Sequence, residues 1–456
     1  MHPAAGMPRR ERPSLASLVL LLAFVVPGLA GAQDHGAPGQ RSTGLPRTID
    51  WTFNFDAAWG SFGFANSLYT DPKQEVPQDL GDHWFEGFIR PALSATYTLP
   101  SSSEVHGHLS AAGEQTYGSA PELVGNDYSS FKIENLSIGW RSGKSIERVG
   151  ENALEFEVGR TQYNLGHGFL LWDGAAEGGS RGGYWSNARK AFAFAAIGRF
   201  KPGPHAIESF FLRKDDLPEN QTGTELWGAN YEYRLAEHST VGGTYMKFWA
   251  KPGLEPQRDG LDVFNARAFV SLWTPDLSLE FEYAAERNAD ALDANAWTLQ
   301  GAYELSTLDW KPKFSYRFAH FDGDDLSTSR NEAFDPLLPG FTDWGTWWQG
   351  EIAGEYFLPN SNLDSQMIRV HATPSDALSG GVIFYKFTLP QPASYRPGVT
   401  DSHLALELDT YAEWKINGNF TATFVGAFAD PGKAVEQSIN RTKNFLYGMV
   451  YLAYSY

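Results

Sequence analysis

The side chains best suited to chemistry are charges and tryptophans, concentrated in two long connections and on the alternating runs between them. From Thr161 to Lys190 the chain carries Arg181, Arg189 and Lys190 among the glycines Gly166, Gly168, Gly174, Gly178, Gly179, Gly182 and Gly183. Backbone so rich in glycine packs closely against a wall. These cations therefore suit a charged constriction, the alternative being a solvated outer loop. From Asp322 to Glu355 a second connection carries Trp344, Trp347 and Trp348. Their faces fit the apolar faces of sugar rings. The same rings would serve for loop packing or as anchors at a membrane interface. Glu280 and Glu282 share one face of an alternating run, and Lys311, Lys313 and Arg317 share that of another two runs on. Opposed, they would set a transverse field in which solutes orient, or pair with each other and water. Glu155, Arg160, Arg369, Glu407, Asp409 and Glu413 complete the candidate lining. This chemistry selects by charge and stacking and breaks no bond.

Other chemistries find less support. Asp322-Gly323-Asp324-Asp325 clusters carboxylates without the glycine and distal glutamate spacing of a calcium loop. His106 and His108 share a strand face, with no further ligand pattern. Cysteine is absent, which removes disulfides and thiol chemistry. No nucleophile motif such as G-x-S-x-G sits on a strand-to-helix turn. The reading is no metal, no cofactor and no catalytic set, with a barrel enzyme acting on lipid as the alternative class and an adhesion or structural barrel behind it.

The elements that carry these residues alternate with period two. Ile49, Trp51, Phe53, Phe55, Ala57 and Trp59 interleave with Asp50, Thr52, Asn54, Asp56, Ala58 and Gly60. Leu277, Leu279, Phe281, Tyr283 and Ala285 interleave with Ser278, Glu280, Glu282, Ala284 and Glu286. The last residues, Leu446, Val450, Leu452, Tyr454 and Tyr456, form an apolar row as well. Strands that are apolar outward and polar inward are those of a transmembrane barrel, whose closing strand faces lipid. Short turns at Pro100–Ser103, Lys201–Pro204, Ala236–Ser239, Thr274–Asp276 and Ser306–Leu308 alternate with long loops. That alternation places the turns in the periplasm and the loops outside. Phase breaks at Glu134-Asn135, the mark of a bulge. Reading Trp347–Phe357 as a loop element with a short helix gives an all-β antiparallel barrel of about eighteen strands.

Composition agrees. Arg9, Arg10 and Arg12 precede an apolar Leu15–Leu29 and Ala30-Gly31-Ala32, the plan of a signal peptide over 1–32. A flexible lead-in follows over 33–47, and the barrel occupies 48–456. The formal charge is −18, which argues against nucleic acid as a partner. Mean hydropathy is −0.35, too polar for a helical membrane protein and compatible with a wet lumen. Aromatic residues make up 14% of the chain, enough for two interfacial girdles.

Two segments resemble the alginate export family. They are Gly159-Arg160-Thr161-Gln162-Tyr163-Asn164-Leu165-Gly166-His167-Gly168, with Asp173-Gly174 beyond, and Glu332-Ala333-Phe334-Asp335-Pro336-Leu337-Leu338-Pro339-Gly340. The resemblance implies an eighteen-stranded channel in the bacterial outer membrane that passes polysaccharide or small hydrophilic solutes. An alginate exporter implies a strongly cationic pore, whereas the inward-facing set here mixes acids and bases. A general porin for sugars and cations stays open beside alginate-like export. The expected partners are outer-membrane lipid, the barrel-assembly machinery, the passing polysaccharide or small solute, and periplasmic export partners.

Overall fold

A computed structural model describes residues 49–66, 82–118, 127–146, 148–289, 291–346, 349–440 and 442–456. All fall within the unit Arg47–Tyr456. The expected signal peptide and lead-in, and Trp347 and Trp348, lie outside the described residues. Eighteen antiparallel strands form one sheet, β1 Ile49–Ala65, β2 Asp82–Thr98, β3 Glu104–Gly118, β4 Tyr128–Arg141, β5 Leu154–Thr161, β6 Phe192–Phe200, β7 His205–Arg213, β8 Glu225–Ala236 and β9 Ser239–Trp249. The others are β10 Asp262–Ser271, β11 Leu277–Asn288, β12 Leu292–Glu304, β13 Lys313–Phe321, β14 Leu363–Ser375, β15 Leu378–Thr388, β16 His403–Lys415, β17 Phe420–Pro431 and β18 Phe445–Ser455. Each strand pairs with its neighbours in sequence, and β18 pairs with β1 from Asp56↔Ser455 to Ala65↔Leu446. The sheet is thus a closed barrel with no free edge.

The outer face is an apolar belt. Trp51, Phe53, Trp59, Phe131, Ile138, Phe156, Phe281, Phe314, Ile368, Phe384, Phe424 and Val450 are all exposed there. In β1 the expected alternation ends near Gly60, yet the strand runs on to Ala65. Beyond Trp59 the apolar residues change face: Phe62 and Phe64 point inward and are buried. β18 does the same with Phe445, Tyr447 and Met449. Strand pairing continues past the lipid belt because the backbone must still be satisfied, while the apolar side chains there serve an internal core. The expectation of a uniformly polar interior is corrected accordingly.

Two loops make that core. Residues 162–191, between β5 and β6, and residues 322–362, between β13 and β14, turn into the barrel. Leu165, Phe169, Leu170 and Leu171 of the first, and Phe334, Leu337, Leu338 and Ile352 of the second, are buried against inward-facing Phe192, Phe210, Leu226, Phe248, Phe321 and Tyr385. Each such side chain contributes on the order of 1.5–3 kcal/mol. The second loop contains a single helical turn, α1 Ala353–Tyr356, within the segment expected to be a loop element. In β4 the register shifts opposite Ser110/Ala111, skipping Glu134, so the expected bulge is present.

Candidate functional site

The two segments singled out by resemblance meet inside the barrel. Leu171 and Leu338 form a parallel bridge. Trp172 N–H donates to the Leu338 carbonyl at 2.8 Å, Leu338 N–H to Leu170 at 3.1 Å and Gly340 N–H to Gly168 at 3.1 Å. Gly340 permits this approach, since a Cβ there would stand 2.1 Å from the Trp172 ring. The first loop also touches the wall at β7, β10 and β11. Tyr163 Oη donates to Glu208 at 3.1 Å, and His167 Nδ1 lies 3.2 Å from Glu280 Oε2 with its ring stacked on Phe269.

Wall charges hold both loops by their backbone. On the first, Glu86 of β2 accepts the Tyr184, Trp185 and Ser186 N–H groups, Glu114 of β3 that of Ala188 at 3.2 Å, and Glu134 those of Lys190 and Ala191 at 2.7 and 2.8 Å. The bulge explains Glu134: an extra residue re-aims the side chain into the lumen. On the second, Glu407 accepts Ile352 N–H at 2.8 Å and Ala353 N–H at 2.7 Å, Asp409 accepts Glu351 N–H at 3.3 Å, and Glu286 accepts Asp335 N–H at 2.8 Å. Arginines take the carbonyls. Arg317 donates to Thr346 at 3.0 Å, and Arg369 donates to Trp344 at 2.7 Å and to the Asp343 carboxylate at 2.6 Å. Charge-assisted bonds of this kind are about twice as strong as neutral ones.

Several expected lining residues are therefore committed elsewhere. Glu407 and Asp409 are buried under the second loop and do not line an open pore. Arg181 and Arg189 do not ring an aperture either. They are buried and share Asp215 with Arg160, through bonds of 3.1 Å from Arg181, 2.5 Å from Arg189 and 2.5 Å from Arg160. Arg160 stands out of phase with Glu155 and Glu157, beside the register shift in β5, and so faces the loops. Lys311 lies in the turn before β13, with φ 41°, and not on the wall. Trp344 stacks on Tyr411 at 4.8 Å and 15° and meets Phe341 edge-on, so one face is occupied by protein. Glu155 pairs with Arg199 at 3.3 Å. Glu413 lies opposite Ser379 on the β16 wall. The letters G-x-S-x-G do occur, at Gly178-Gly179-Ser180-Arg181-Gly182, where Ser180 Oγ donates to Glu219 at 2.6 Å. A carboxylate on the hydroxyl and a 3-10 turn without a strand before it do not make a nucleophile elbow.

Two cavities open to solute lie beside the loop contact, apart from a wider space of about 820 Å³ along β1 to β5, lined by Asp56, Arg90, His106, His108 and Glu157 among others. One, of about 360 Å³, is lined by Asp173, Trp185, Lys190, Phe341, Glu351 and Asn360 among others. The other, of about 390 Å³, is lined by Trp172, Glu280, Glu282, Lys313, Arg317 and Arg369 among others. Trp172 lies between them, since the Lys190 ammonium stands 5.9 Å over its ring. Among the described residues that ammonium has no ion-pair partner. In the first cavity burial pushes the Asp173 carboxyl up to about 6, against a hydrogen bond from Asn187 and the nearby Lys190. Burial and the neighbouring Asp409 push Glu351 up to about 8. In the second, Glu280 and Glu282 face Lys313 and Arg317 across β12, two strand spacings or about 10 Å, with Arg369 one strand further on β14. Glu282 is buried and its Oε2 has no hydrogen-bond partner. Among the described residues no group of three or more His, Asp or Glu side chains is arranged to hold a metal. Sequence reasoning missed Trp172, Trp185 and Glu351, and quoted Asp173 with the first motif without giving it a role. Trp172 directly precedes Asp173, so its signal was present.

Neither a protein-family model nor a curated protein matches the chain. The resemblance to the alginate export family thus rests on its two local segments. Solved structures do match. Acinetobacter baumannii OccAB4 aligns with TM-score 0.55 and 10% identity, over 90% of this chain and 99% of its own. The outer membrane protein OpdK of Pseudomonas aeruginosa aligns with TM-score 0.54 and 12% identity, over 89% of this chain and 98% of its own. OpdK solved with vanillate aligns with TM-score 0.52 and 12% identity, over 89% and 98%. The chain has the fold of these bacterial outer-membrane barrels, and its apolar belt and closed sheet suit that membrane.

Proposed function

We propose that this chain is a diffusion channel for small hydrophilic solutes across the bacterial outer membrane, acting by passage and not by catalysis. The observation that carries the reading is the inward seating of two loops. A barrel of eighteen strands would by itself leave a wide aqueous lumen. Here the loops fill part of it and leave, beside their contact, adjoining cavities of about 360 and 390 Å³, with a wider space of about 820 Å³ along β1 to β5. Spaces of that size suit one small organic molecule. A solute moving between them passes Lys190 and Trp172, then lies between the acids of β11 and the bases of β13 and β14. The mixed lining favours solutes with a polar group at each end, while OpdK with vanillate offers a small aromatic carboxylate as a probe. Alginate-like export is the less favoured reading, because the arginines that would draw a polyanion are bound to Asp215.

Planar-bilayer conductance and liposome swelling with neutral sugars of increasing size test this. The expected outcome is a small steady conductance, with swelling in monosaccharides and little in trisaccharides. Electrical silence, or equal rates for all sizes, overturns the reading.

A further inference from the structure

The wall beneath α1 carries an arrangement that passage does not require. Three carboxyl groups converge there: Glu351 on the second loop, and Glu407 and Asp409 on β16. Glu407 and Asp409 are 1% and 4% exposed and stand two residues apart on the same face of β16. None of the three has an ion-pair partner among the described residues. They nevertheless fix the loop, since Glu351, Ile352 and Ala353 all donate their N–H groups to the wall pair. Contact is close: a Cβ on Gly350, at φ 82°, would stand 2.6 Å from a Glu407 oxygen. The segment so held also lines the first cavity, through Glu351 and Gly354.

We propose that Glu351, Glu407 and Asp409 form a proton-loaded latch that seats the second loop in the lumen at low pH and lets it lift as the pH rises. Three adjacent carboxylates without a cation repel strongly where water is scarce, so the seated arrangement needs at least one bound proton. The other charged or titratable groups that face the latch are Asp173 and Lys190 across the cavity, Glu86 behind Trp185, and Tyr385 and Arg317 on the wall. Trp185 lines the cavity beside Glu351 and carries no charge to neutralise it. Seating holds Glu351 above its ordinary value of 4.5, at about 8. The seated state therefore binds the extra proton. Seating is strongest below that ordinary value, weakens as the pH rises toward about 8 and changes no further above it. Across that window one proton changes the lifted-to-seated ratio by up to about tenfold per pH unit.

This inference rests on the channel reading and extends it to regulation. Single-channel recording of the refolded mature barrel at pH 5, 6.5 and 8.5, in symmetrical high salt, tests it. Wild type is expected to show a larger-conductance state whose occupancy relative to the seated state rises at least tenfold from pH 5 to 8.5. Glu351→Gln should hold the low-pH behaviour throughout, and Asp173→Asn should keep the rise between pH 6.5 and 8.5. A heat-dependent gel shift confirms that each variant is folded. Conductance that does not change with pH, or an equal rise in Glu351→Gln, overturns the latch alone. Absence of current at every pH overturns the channel reading with it.

Discussion

Lys190 shows how one residue's role depends on what surrounds it. Beside it in the chain, Arg189 is 3% exposed and bound to Asp215 and Glu134. Lys190 instead turns into the cavity over Trp172. A single charge about 4–8 Å from a passing ion in water is worth about 0.5–1 kcal/mol. The charge attracts an anion and repels a cation equally, so Lys190→Met should lower the anion-to-cation permeability ratio by about five- to thirtyfold, read as a reversal-potential shift in a salt gradient. Arg181→Met should leave the ratio nearly unchanged, because that guanidinium already serves Asp215. The sequence placed all three cations in one loop correctly but could not separate them, since Asp215, the partner of the two arginines, comes from the connection between β7 and β8.

At the scale of elements, the loops are held by wall carboxylates that meet backbone N–H groups and by arginines that meet carbonyls. Such partners fix a loop's position without needing a particular loop side chain, so little marks them in the sequence. Asp215 is the exception, with three arginines on one carboxylate. Removing it leaves the buried Arg181 guanidinium without a carboxylate and Arg189 with Glu134 alone, a loss of roughly 3–5 kcal/mol. Asp215→Ala should make residues 162–191 sensitive to protease while the barrel still migrates as folded on a mild-detergent gel. A barrel that unfolds along with the loop would show that the loop is part of the wall's stability.

For the whole molecule, the two faces of each strand answer to different solvents. Val450 of β18 is exposed on the lipid face. Arginine there should cost about 2–4 kcal/mol if it lies near the bilayer midplane. Thr421, one strand away on the lumen face, should accept arginine with little loss, as unfolding in urea from lipid vesicles would show. The sequence by itself determined the barrel: a period-two pattern, short turns against long loops and an apolar last strand allow few other ways to satisfy backbone in lipid. It also marked the bulge at Glu134 and the two loop segments that meet. Only the tertiary structure decided which charges face solute. Side-chain parity places a residue on the lumen side of a strand, but whether a loop then covers it depends on contacts between residues far apart in the chain, as with Glu407 and Ile352. The same holds above the lipid belt, where the apolar face of β1 and β18 turns inward because the loops, and not the membrane, exclude water there.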